Sequence, residues 1–189
     1  MNTFFRTATL LALGILSAGC LVRSIHPWLS DDSSVKEPAL IGTWRDRKTK
    51  TSAAFSAEDG GYAIEVTDGQ QKTSRLQASL HRVGETLLLQ IAPSHPEGIN
   101  AFALLPARIL YKAHLDEDTL TLFPVDPESF ELRAVNAGMP LLAEGSTHDG
   151  YVLTASSTAV ESFLLDQIGE PGFFSETPHY TFRKVSASP

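Results

Sequence analysis

From Ala39 onward the chain alternates apolar and polar side chains in short runs separated by turn residues. That is the period-two signature of strands with one wet face. The run 39–46 reads as a first strand. Residues 52–57 and 62–67 flank Asp59-Gly60-Gly61, a turn that tolerates positive φ, and so predict a hairpin. Leu76, Ala78 and Leu80 alternate with Arg75, Gln77, Ser79 and His81, and Gly84-Glu85 turns the chain into Leu87, Leu89 and Ile91. A further hairpin places Ile109, Tyr111, Ala113 and Leu115 on one face, turns at 116–118 and returns through Leu120 and Leu122. No strand-helix repeat is present, so the pairing is expected to be mainly antiparallel.

Two helices interrupt the later part. Asp126 suits an N-cap, Pro127 the first helical position, and Phe130, Ala134 and Ala137 recur at helical spacing before Gly138 and Pro140. Thr158 with Glu161 three residues on has the form of a capping box, and Val160, Phe163, Leu164 and Ile168 make one apolar stripe ending at Gly169. A short strand at 151–155 lies between the helices, and 179–185 is the last strand. The pattern predicts a mainly β domain over residues 39–186. Its expected form is a mainly antiparallel sheet with two short helices packed on it.

The N-terminus changes the picture. Residues 1–6 carry one positive charge and no acid, residues 7–18 are rich in Leu, Ala and Ile, and small residues lead into Cys20, the only cysteine. This is the layout of an export signal. The apolar stretch is too short to cross a bilayer, which takes about 20 residues. An unpaired exposed thiol is also an odd cargo for export. The run Leu16-Ser17-Ala18-Gly19-Cys20 resembles the lipobox of bacterial lipoproteins, although that family usually has Leu where Ser17 stands. The resemblance implies cleavage after residue 19 and acylation of Cys20, with acyl chains as the membrane partner. Leu21 in place of Asp resembles the pattern sorted to the periplasmic face of the outer membrane.

Loss of Arg6 takes the 15 basic residues to 14 against 22 acids, so the net charge goes from −7 to −8. Such a surface argues against nucleic acid and against electrostatic attraction to anionic lipid. With no second cysteine, the domain must stand on its hydrophobic core. Residues 20–38, with Ser30, Asp31, Asp32, Ser33, Ser34, Lys36, Glu37 and Pro38, have the composition of a tether. Ile25 and Trp28 break that composition. Either they dock on the domain as a lead-in, or Trp28 sits at the membrane interface.

Gly42-Thr43-Trp44 resembles the Gly-x-Trp signature of lipocalins, in which the tryptophan plugs the closed end of a barrel and an arginine near the C-terminus packs over it. The resemblance implies an antiparallel lipocalin-like barrel or strongly curved sheet of about 8 to 9 strands, and assigns barrel closure to Trp44 and Arg183. The helix at 126–137 departs from that family. The segments 38–44, 111–122 and 153–163 also resemble a group of uncharacterised bacterial lipoproteins, which implies no activity.

No Gly-x-Ser-x-Gly elbow, catalytic cysteine or phosphate-cradling glycine run is present. The six histidines are scattered without metal-ligand spacing. Ser94 to Gly98 reads as a loop, and His114 with Asp116 and Glu117 as a solvated hairpin tip. No enzyme activity, metal or cofactor is expected. Two function classes remain. One is a membrane-tethered accessory module that meets an envelope protein through a surface face. The other is a lipocalin-like carrier of a small apolar ligand or lipid, its cavity lined by Phe55, Tyr62, Ile64, Leu76, Leu89 and Tyr111.

Overall fold

The computed structural model describes residues 21–94, 107–144 and 150–185. Its first strand, β1 (Leu21–Ser24), stands apart from a barrel built by the strands that follow. These are β2 (Gly42–Arg45), β3 (Ser52–Glu58), β4 (Gly61–Thr67), β5 (Thr73–Val83), β6 (Thr86–Pro93), β7 (Arg108–Leu115) and β8 (Thr119–Pro124). Then come helix α1 (Pro127–Asn136), strands β9 (Leu141–Glu144) and β10 (Gly150–Leu153), helix α2 (Ser157–Gln167) and β11 (Tyr180–Lys184). The ladder runs β6-β5-β4-β3-β2-β11-β8-β7, and β6 also pairs with β7. The sheet is therefore a closed eight-stranded barrel, and the pairings within it are antiparallel. Closure removes sheet edges, and short hairpins make antiparallel order the local choice.

Alternation divides the molecule into two cores. Inward residues of the barrel, among them Trp44, Phe55, Ile64, Leu80, Leu89 and Leu120, form one buried cluster. Outward residues on the far side of β6 and β7, Leu88 and Leu110, join a second cluster with Trp28, Phe130, Phe163 and Phe173. Both helices and β1 and β10 contribute to that second core. Where β8 ends, β1 takes its place beside β7, with Ser24 opposite Arg108. From there the wall continues through β10 and β9. The β1–β10 pairing is parallel, an exception within the mainly antiparallel order that the sequence pattern predicts.

Residues 21–38, given a tether composition above, are folded against the domain. Leu21–Ser24 is a strand, Trp28 and Leu29 are buried, and Val35 N–H donates to the Leu80 carbonyl at 2.8 Å. Ile25 N–H donates to the Leu153 carbonyl at 3.1 Å, so the lead-in is docked. Trp28 is fully buried and has no surface to offer a membrane interface.

Helix α1 starts as expected. Asp126 accepts from Ser129 N–H at 2.9 Å, Pro127 opens the helix and Gly138 ends it at φ +65°. Helix α2 departs from the expected capping box. It begins at Ser157, ahead of Thr158, and Glu161 instead accepts from the N–H and hydroxyl of Ser30 at 2.9 and 2.7 Å. A long-range partner displaced the local one.

Candidate functional site

The barrel has two ends of different character. At the end holding the β3–β4 and β5–β6 hairpins, the segment leading into β2 crosses the opening. Leu40 is buried there, and the hydroxyl of Tyr62 accepts from Glu37 N–H at 2.6 Å. Trp44 has no exposed surface and donates its indole N–H to the Leu40 carbonyl at 2.8 Å. Gly42 has φ +132°, which only glycine adopts readily. The first position of Gly-x-Trp thus has a backbone reason.

The cation over Trp44 is Lys184, its Nζ 5.0 Å from the ring centroid, and not the expected Arg183. Lys184 is the register partner of Trp44, whereas Arg183 faces Arg45, is exposed and donates to the Thr119 hydroxyl at 2.8 Å. Side chains alternate with period two, so a shift of one position moves the cation to the other face.

Of the residues expected to line a ligand cavity, Phe55, Tyr62, Ile64, Leu89 and Tyr111 are buried and pack on one another, and Leu76 is half-buried at their margin. The structure brings all six together, as core. A concavity of about 810 Å³ lies on the outside of β3–β5. Small side chains, Ala54, Ser56 and Ala63, form its floor, and Glu65 and Arg75 flank it.

The opposite end is the one at which β11 begins, with Tyr180 opposite Leu122. Val66, Leu76, Ile91 and Ile109 are half-buried around it. Tyr180 stacks between His179 (4.3 Å) and Phe182 (5.2 Å), and the Tyr111 hydroxyl lies 3.1 Å from His179 Nδ1. Burial pushes both tyrosine hydroxyls up. Burial pushes the His179 imidazole down, opposed by the charge of Asp46. The group is neutral at pH 7. Asp46 is itself buried and spent on structure: it accepts from the N–H groups of Lys48 (2.7 Å), Thr49 (3.0 Å) and Thr181 (2.8 Å).

A second polar group, unsignalled by any motif, holds the lead-in to the barrel. His81 is fully buried. Ser33 Oγ is 3.0 Å from its Nδ1 and Ser79 Oγ 2.7 Å from its Nε2. Gln90 donates to Ser79 at 3.1 Å and accepts Trp28 N–H at 2.6 Å. One set of directions satisfies every member. The Ser33 hydroxyl donates to the Ser30 carbonyl at 3.3 Å, His81 Nδ1–H to Ser33, and the Ser79 hydroxyl to Nε2. The imidazole is therefore neutral, and burial pushes it below its ordinary value against the opposing charges of Asp31 and Glu161.

Among the described residues no group of three His, Cys, Asp or Glu is placed to hold a metal ion, and no helix is long and apolar enough to cross a membrane. No family profile, curated protein or solved structure matches the chain. His114 and Asp116 stand 3.4 Å apart at an exposed hairpin tip. Cys20, the expected lipidation site, lies outside the described residues, as do His95 to Gly98.

The His81 group gives a pH dependence. Because its folded value lies below 6.5, the unfolded chain binds more protons as pH falls through that range. Stability is then full above pH 6.5 and declines toward the folded value. His179 acts in the same direction. The melting temperature is expected to drop between pH 7.5 and 5, and to drop less in His81→Gln. An equal drop in both proteins would show that His81 is not the group responsible.

Proposed function

We propose that this is a cell-envelope lipoprotein, held at the membrane by acyl chains on Cys20, that works as a non-catalytic accessory module through its surface. The observation that supports this reading is the filled barrel, closed at one end by Leu40 and Trp44 and packed along its length by the residues that a carrier would use to line a cavity. Such a barrel is a rigid scaffold for presenting a face. The docked lead-in fits the same role, because it joins the second core to the barrel wall.

A second reading has an observation of its own. Val66, Leu76, Ile91, Ile109 and Tyr180 are half-buried against the barrel core, a partly exposed apolar surface able to grip part of a lipid without a deep cavity. Native mass spectrometry of the full mature chain, purified in detergent and incubated with a cell lipid extract, separates the two. The accessory reading expects the acylated protein mass alone. A one-to-one lipid adduct that Ile91→Glu removes would replace it with the carrier reading.

A further inference from the structure

We propose that the face of the β1–β10–β9 wall carrying Leu21, Arg23, Val152 and Leu142 lies directly against the lipid bilayer. The proposal rests on the acylation of Cys20 and adds which surface that anchor brings to the membrane.

The first step is distance. Cys20 immediately precedes β1, whose residue Leu21 is already fixed in register opposite Gly150. One residue of extended chain spans at most about 3.6 Å, so an acylated Cys20 has no slack. The headgroups must come to the domain, because the domain has nothing to hang from.

The second step is direction. Side chains alternate across β1. Val22 and Ser24 point into the second core and are buried, as are their register partners Tyr151 and Leu153. Helix α1 covers that side, its Phe130 6.5 Å from Tyr151 between ring centroids. The membrane therefore cannot approach from there. Leu21 and Arg23 point the other way. Arg23 stands beside Val152, and Val152 beside Leu142, in one row across three strands.

The third step is chemistry. At the usual strand spacing that row is about 10 Å wide, with Leu21 one pleat repeat away. Leu142 is 60% exposed, Val152 and Leu21 are half-buried, and Arg23 adds a long apolar stem and a cation to an otherwise acidic molecule. Apolar groups beside an arginine suit the boundary between headgroups and acyl chains. The other exposed apolar pair, Leu132 and Val135, lies on the side of α1 turned away from Phe130 and Ala134, hence away from this wall.

The full chain is produced in a bacterial host as Leu142→Cys and, for comparison, as Ile41→Cys, at the opposite end of the barrel and 41% exposed. An acylated Cys20 has no thiol, so an environment-sensitive dye attaches at the introduced cysteine alone. In phosphatidylethanolamine–phosphatidylglycerol vesicles containing brominated lipid, quenching is expected to be at least about twofold stronger at 142 than at 41. Matching melting temperatures show that both variants fold. Acylated protein with equal quenching at the two sites would overturn the assignment of this face and leave the anchor standing. Shielding of the dye at 142 from aqueous iodide, without bromine quenching, would give the face to a second copy of the chain and overturn it too. An unacylated mass with a reactive thiol in the wild-type chain would instead remove the anchor on which the proposal rests.

Discussion

Trp28→Ala is expected to destabilise the protein by about 3 to 5 kcal/mol, a large part of the 5 to 15 kcal/mol that a domain of this kind has in total. The indole is fully buried and packs edge-on to Phe130 at 6.2 Å. It also donates its N–H to the Arg108 carbonyl at 3.1 Å. Truncation leaves a cavity between the barrel wall and α1, and strips the clasp that fastens the lead-in. Trp44 then remains as the only tryptophan, inside the other core, so its fluorescence reports on the barrel while helical circular dichroism reports on the second core. A urea midpoint equal to that of the wild type would contradict the packing described here. Earlier loss of helical signal than of Trp44 fluorescence would show that the two cores melt as separate units.

Trp44→Ala has an effect of similar size by a different route, again about 3 to 5 kcal/mol. The ring fills one end of the barrel, and removing it orphans the Leu40 carbonyl and takes the aromatic face from under Lys184. Trp44→Phe restores most of the volume without the N–H, and is expected to recover all but about 1 to 2 kcal/mol. Denaturation followed through Trp28 measures both. A loss under about 1 kcal/mol in Trp44→Ala, at the lower edge of what a buried aromatic costs, would mean that this residue does not close the barrel. Because the two tryptophans belong to different clusters, the effects of Trp28→Phe and Trp44→Phe should add to within about 0.5 kcal/mol.

The barrel strands were legible in the sequence because each has one wet face. Leu76, Ala78 and Leu80 lie on β5 facing inward, and the Asp59-Gly60-Gly61 hairpin and both helices stand close to where their patterns put them. What escaped was whatever depends on distant partners. Strand β1 is four residues long and precedes a polar stretch of tether composition; it is a strand only because β7 and β10 flank it. Strand β9, Leu-Leu-Ala-Glu, shows no alternation at all. The donor to Glu161 is a serine 131 residues away, which no capping rule could supply. The Gly-x-Trp resemblance located Trp44 at the barrel end but missed its cation by one residue, since nothing local fixes the register of β11 against β2. The His81 group was invisible for a related reason: Ser33, Ser79 and Gln90 are unremarkable until three segments meet.

The order of strands around the barrel also sets an order of assembly. The hairpins from β2 to β8 join neighbours in the chain and can form as they are made, as short-range contacts do. The gap between β2 and β8 is filled by β11, residues 180–184, at the far end of the sequence. Until those residues arrive, two strands present bare hydrogen-bonding edges to any neighbouring chain. Meanwhile β1, the first described segment to leave the ribosome, waits for residues 108–109 and 150–153. That early strand is among the last to settle, and a chain cut short before Tyr180 is a barrel with an open seam.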